Sequence, residues 1–191
     1  MGQRYRWLRI LLQPGAEWNA IAGEFTTVGG IYRSYVLPLA LVPALSQTLG
    51  NLAWGMPVLG QRIKVPLVTA LQAGVAHYLL GLVAVFVLAL IINALAETFG
   101  GSNNQVQAFK VAAYGATAAW LAGVFALVPG GGWLQLLGLY TLYLLYAGLP
   151  PVMKVPSDRV IGYGVLTGVA AIVLHLVSRA VVIAFLPPGG R

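Results

Sequence analysis

Three side chains stand where chemistry in this chain would be costly to hold. His77 lies eleven residues after Pro66, and His175 lies eleven residues before Leu186. Arg179 follows His175 by four positions, so a helix would put both on one face. All three sit within long apolar runs, and ionisable groups inside a membrane are expensive enough to count as functional candidates by default. At about 1.5 Å per helical residue, both histidines fall about 16 Å from the same end. His77, His175 and Arg179 are therefore a candidate intramembrane polar site, suited to proton relay or ligand binding. The plainer account has each histidine bonded to a backbone carbonyl or hydroxyl, with Arg179 snorkelling outward. Two histidines without an intramembrane carboxylate make a poor zinc site, which wants three or four protein ligands. The chain has no cysteine, HExxH or GxSxG, and its glycine turns lack the lysine of a phosphate loop. No enzyme, cofactor or metal is expected.

The elements around these residues must be membrane spans. Of 191 residues, 59% are apolar and 8% charged, against about 45–50% and about 25% in soluble domains. Fifteen charged side chains cannot clothe a soluble surface. The excess of basic over acidic residues does not read as nucleic-acid binding, because Lys and Arg punctuate the ends of apolar runs instead of forming a patch. A span needs about 20 predominantly apolar residues. On that measure five fall at about 34–54, 66–95, 108–128, 133–149 and 161–186, with four as the fallback. Pro38 and Pro43 predict kinks in the first. Length predicts tilt or projection for the second. Pro129-Gly-Gly-Gly, Pro150-Pro151 and Pro187-Pro188 mark stops. The fold class is an all-α transmembrane bundle over residues 31–187, with a tail at 188–191.

Before the first span, residues 3–12 and a second stretch opened by Pro14 read as short amphipathic helices. Trp18, Ile21, Ala22 and Phe25 share one face, with Glu17 and Glu24 off it. Both helices are too short to span, and they are expected to lie in the interface plane as a segment of residues 1–30. No apolar core of signal-peptide length occurs there, so the first span is expected to act as an uncleaved insertion signal. Counting flanking cations places Arg4, Arg6, Arg9, Arg33, Lys110, Lys154 and Arg159 on one side, against Arg62, Lys64 and Arg191 on the other. This predicts a cytoplasmic N-terminus and an external C-terminus in a prokaryotic cell membrane.

Small residues predict where helices meet: Gly115, Ala119 and Gly123 in the third span, Gly164 and Gly168 in the fifth. Tyr140, Tyr143 and Tyr146 share a side of the fourth, which suits packing or interfacial anchoring better than a ligand groove. Glu97 could pair with Lys110, Lys154 or Arg159. Together with Trp18, these residues form a candidate docking surface for a partner.

Pieces spread along the chain resemble the Yip1 family in its bacterial branch. They are Pro14-x-x-x-Trp18-x-x-Ile21, Tyr35-Val-Leu-Pro38-Leu, Phe99-Gly-Gly, Lys110-Val-Ala-Ala-Tyr114 and Val128-Pro129. Leu139-Tyr140-x-x-Tyr143-Leu-Leu-Tyr146-x-Gly148-Leu-Pro150 and Lys154-Val-Pro156 complete the set. The resemblance implies a five-helix membrane domain with a cytoplasmic N-terminus. Eukaryotic members are linked to vesicle traffic and bind small GTPases through cytoplasmic parts; this chain has almost no such part, so that partner does not carry over. One departure is that Ala118 and Ala119 stand where the family tends to place a proline, which predicts a straighter third helix. The leading expectation is a non-enzymatic protein that organises or partners other membrane components in the lipid bilayer, self-association included. The competing one is a small transporter or channel for an ion, proton or lipid, with its path between spans two, three and five.

Overall fold

The computed structural model describes residues 5–58 and 61–184. The expectations for Arg4, Arg191, the last two residues of the fifth span and the 188–191 tail lie outside them. Five long apolar helical stretches run Val28–Trp54, Leu67–Phe99, Gln105–Leu127, Gly131–Met153 and Val160–Ala184. They are built from α3 (Val28–Ile31), a π-helical turn at Tyr32–Val36, α4 (Leu37–Trp54), α5 (Leu67–Ala96), α6 (Gln105–Gly115), α7 (Thr117–Ala122), α8 (Tyr140–Met153) and α9 (Val160–Ala184). Ahead of them come α1 (Arg6–Leu12) and α2 (Pro14–Gly23). A small antiparallel ribbon, β1 (Met56–Val58) with β2 (Gln61–Ile63), joins the first two spans. The bundle is all-α, and the ribbon is an addition that the sequence does not announce.

The third span is the axis of the bundle. Every residue from Ala108 to Gly115 is buried, which its alanines permit because small side chains let neighbours approach on all sides. It is not straight. Helix α6 ends at Gly115, α7 restarts at Thr117, and a 3-10 turn covers Gly123–Leu127. The expectation of a straighter helix fails because side chains do the work of the missing proline. The Thr117 hydroxyl donates to the Tyr114 carbonyl at 2.6 Å and pairs with the Tyr35 hydroxyl at 2.6 Å. The Ala119 amide donates to the Thr141 hydroxyl at 2.9 Å. A polar side chain inserted into the backbone ladder is a recognised cause of a helix break.

The fourth span also differs from its expected bounds. It opens as a 3-10 helix at Gly131–Leu139, and α8 continues through Pro150 and Pro151 to Met153. It stops at Lys154, whose φ of 56° is left-handed. Prolines are tolerated inside a spanning helix when neighbours take up the freed backbone groups. At the end of α8, the Met153 carbonyl accepts from the Ser102 amide at 2.7 Å.

Close glycine contacts lock the spans together. A Cβ on Gly50 would stand 2.2 Å from the Ala126 carbonyl oxygen. On Gly115 it would stand 2.5 Å from Leu145, on Gly123 2.5 Å from Pro43, and on Gly164 2.7 Å from Tyr146. At Gly168 the nearest atom, on Leu142, lies at an ordinary 3.6 Å. Ala119 lies against Gly138.

Gly50→Ala therefore forces two backbones apart. It should lower stability by about 1–3 kcal/mol, read as a lower melting temperature in detergent. Gly81→Ala, which points into open space, should melt like the parent; equal melting of both variants would contradict the contact.

Candidate functional site

The two N-terminal helices do not lie flat across the end of the bundle. They form a hairpin that runs along it. Near the end of the bundle that carries Gln105 and Met153, called proximal here, the Gln107 side chain donates to the Ala22 carbonyl at 3.1 Å. Lys110 Nζ donates to the carbonyls of Ile21 at 2.8 Å and Glu24 at 2.7 Å. Further along, Trp18 packs edge-on to Tyr114 and fills the space over Gly148, where a Cβ would lie 2.8 Å from its ring. Deepest, the Tyr140 hydroxyl donates to the Leu11 carbonyl at 3.2 Å. Tyr140 stands thirteen residues from Met153 in α8, about 20 Å along the helix, so the hairpin tip reaches well into the bundle. Its outer side presents Trp7, Leu8 and Leu12, all exposed.

What holds the hairpin is a cluster of charges. The Glu17 carboxylate, 1% exposed, accepts from Arg6 Nε at 3.1 Å and forms an ion pair with Arg9 Nε at 2.9 Å. Arg6 also meets Glu24 at 2.6 Å, donates to the Tyr114 hydroxyl at 3.0 Å, and lies 5.1 Å over the Tyr114 ring. Burial works against the Arg6 charge, but the bonds to Glu24 and Tyr114 outweigh it and raise its pKa above the usual guanidinium value. Lys110 lies within electrostatic reach of the Glu24 carboxylate. Its tip also caps the end of α2, where a cation suits the partial negative charge of the last carbonyls.

This arrangement corrects part of the expected docking surface. Trp18 (0% exposed) and Lys110 (2% exposed) are buried, because the face read as interfacial turns inward against α6 and α8. Glu17, placed off that face, is buried too, since two arginines follow it inside. Phe25, read with Trp18, is exposed instead. Glu97, Lys154 and Arg159 remain exposed at the proximal end. None of the pairings expected of Glu97 forms among the described residues; it accepts from the Asn103 side chain at 2.9 Å. Asn103 also accepts from Asn93 at 2.8 Å, tying the turn to α5. Tyr140, Tyr143 and Tyr146 lie on one partly exposed side of α8, with Tyr140 stacked on Tyr143.

His77 and the His175–Arg179 pair come from α5 and α9, which pack along each other. His77 lies within electrostatic reach of both partners, while no hydrogen bond joins the three among the described residues. His77 is half-buried; His175 and Arg179 are exposed. A hollow on the outer face of α5 is lined by Val68, Leu71, Gln72, Val75, Ala76 and Leu79 and does not include His77. The described residues bring no three His, Cys, Asp or Glu side chains together as a metal site.

Most of the hairpin, the broken third span and the loop tethered by Met153 fall inside one region of sequence similarity. The model of the Yip1 domain matches residues 8–178. The chain belongs to the Yip1 family. Among curated relatives of this Yip1 protein, the inner membrane protein YohC of Escherichia coli strain K12 is 27% identical over 181 residues, covering 91% of this chain and 92% of YohC. YohC of Escherichia coli O6:H1 strain CFT073 matches equally. No solved structure matches. The match begins at Leu8, inside α1, so the Yip1 domain takes in most of the hairpin as well as the spans.

Glu17→Gln should unbalance two arginines at once. Breaking one partner of a buried pair costs about 3 kcal/mol or more. Faster amide hydrogen exchange across residues 6–23 and a lower melting temperature are expected. Arg9→Gln, whose side chain is half exposed, should cost under about 1 kcal/mol. Equal exchange in both variants would count against Glu17 as the centre of the cluster.

Proposed function

We propose that this Yip1 protein is a non-enzymatic organiser of other components in a prokaryotic inner membrane, with its N-terminus cytoplasmic and its C-terminus outside. The observation that carries this reading is where the polar groups go. Arg6, Glu17, Glu24, Lys110, Tyr114 and Thr117 are spent on bonds inside the protein. A transport route between spans two, three and five would need polar walls beside the histidines, whereas α5 and α9 meet there through largely apolar surface. On the outside, α9 turns Val165, Val169, Ile172, Val173 and Leu176 away from the bundle, which fits lipid, another membrane protein or a second copy.

Orientation follows the same logic. Arg33, Lys154 and Arg159 are exposed toward the proximal end, while Arg62 lies in the distal ribbon and Lys64 follows it; cations collect on the cytoplasmic side. That puts Glu97, Lys154 and Arg159 where a partner on the cytoplasmic side would reach them.

Liposomes carrying the purified protein should pass ions, protons and lipids no faster than empty vesicles. Photo-crosslinkers at positions 97, 154 and 159 should capture a defined membrane partner in native membranes, and Lys154→Glu with Arg159→Glu should abolish the capture. Flux that disappears in the His77→Ala/His175→Ala double variant would replace this reading with transport.

A further inference from the structure

Acidic side chains are missing from the distal end of this protein, and the consequence falls on the ribbon there. The chain has four acids: Glu17, Glu24, Glu97 and Asp158. Glu17 and Glu24 belong to the hairpin, where they hold Arg6 and Arg9. Glu97 sits at the proximal end of α5, and Asp158 sits beside Arg159 just ahead of α9. No Asp or Glu occurs from residue 25 to residue 96, nor from 98 to 157. The ribbon joining the first two spans falls in the first of these stretches. It brings Arg62 and Lys64 to the distal end, where the chain has no carboxylate to meet them.

Arg62 is held in place. Its Nη1 donates to the carbonyl of Trp54, the last residue of α4, at 3.2 Å. The Trp54 indole donates in turn to the carbonyl of Leu127, the last residue of the third span, at 3.0 Å. Two bonds thus fix this guanidinium to the ends of two spans. A guanidinium has five N–H donors, and among the described residues the Trp54 carbonyl is its one hydrogen-bond partner. Lys64 leaves the ribbon at the same place. Gly55 lies so close to Ile63 that an added Cβ would stand 2.8 Å from the Ile63 carbonyl oxygen. Both cations are exposed.

Their level is set by topology. Arg62 and Lys64 belong to the connection between two helices that cross the bilayer, so they lie outside the hydrocarbon. Strands of three residues, about 10 Å long, cannot carry them far from its surface. Trp54 and Trp133, both exposed at this end, mark the headgroup level at which such rings settle. The anion that fills that level is phosphate. Arginine offers it two parallel N–H donors, and lysine offers a point charge.

We propose that Arg62 and Lys64 form a binding site for the headgroup phosphate of an anionic lipid in the distal leaflet. Arg62, already oriented by Trp54, grips the phosphate at little further cost in freedom, and Lys64 adds the second charge. The lipid is the counter-ion that this end of the sequence omits. Its acyl chains run along the exposed leucines of α4, Leu45, Leu49 and Leu52.

The test is native mass spectrometry of the full chain titrated with phosphatidylglycerol, phosphatidylcholine or inorganic phosphate. Phosphatidylglycerol should bind about tenfold more tightly than phosphatidylcholine, whose own cation competes. Arg62→Gln should weaken phosphatidylglycerol about tenfold, and Arg62→Gln with Lys64→Gln should abolish the preference. Arg33→Gln, the same change at the proximal end, should bind as the parent does. Melting temperatures of the variants show that they remain folded. Undiminished phosphatidylglycerol binding by the folded double variant would overturn the proposal. An equal loss in Arg33→Gln would replace it with general basic attraction. Displacement of the lipid by millimolar inorganic phosphate would overturn the lipid assignment in favour of a free anion.

Discussion

A guanidinium buried beside a membrane bundle needs compensation on every side, and that requirement at Arg6 organises much of this protein. Its charge is met by Glu17 and Glu24, its planar face lies over Tyr114, and a further N–H is taken by the Tyr114 hydroxyl. To bring those groups together, α1 and α2 must fold back on each other, and the hairpin must lie along α6. Once it lies there, Trp18 needs a hollow, and Gly148 provides one by having no side chain. The carbonyl ends of α2 then need donors, which Lys110 and Gln107 supply. A buried charge pair is weak evidence for net stability, because desolvation offsets attraction. It is strong evidence for a single permitted arrangement, since every alternative strands a charge.

The five spans were legible because each is a long apolar run, and length alone separates a spanning helix from a core helix. The family was legible from short pieces whose order and spacing run through the chain. The N-terminal hairpin was not. Each of its helices is short, and a helical projection places Glu17 beside the solvated face whether or not an arginine waits on the other side. Nothing local distinguishes the two cases, because the partner that decides, Tyr114, is far off in the chain. Lys110 misled for the same reason: a lysine at a helix entrance reads as solvated until the carbonyls of α2 are placed over it.

Proline and glycine punctuation was a partial guide. Pro150 and Pro151 read as a stop, yet α8 passes through both and ends only at Lys154. The stop is set by tertiary bonds to Met153 from Ser102, which no reading of residues 133–151 contains. Conversely, the absence of proline near Ala118 suggested continuity. Thr117 and Thr141, neither of them a breaker by type, redirect the backbone bonds that a continuous helix would use. In the membrane, where water cannot take up a spare amide, a hydroxyl on a neighbouring helix becomes as directive as a proline.

The hairpin also imposes an order on biogenesis. Chains emerge N-terminus first, so α1 and α2 exist before any of their partners. Lys110 is 89 residues beyond Ile21, Tyr114 is 108 beyond Arg6, and Tyr140 is 129 beyond Leu11. Only the contacts within the hairpin, those of Glu17 with Arg6 and Arg9 and of Arg6 with Glu24, can form at once. Until the third and fourth spans supply the remaining partners, these ion pairs balance the charges of the hairpin. The hairpin, made before the spans, is thus among the last elements to dock, and its seating marks the completion of the bundle around α6 and α8.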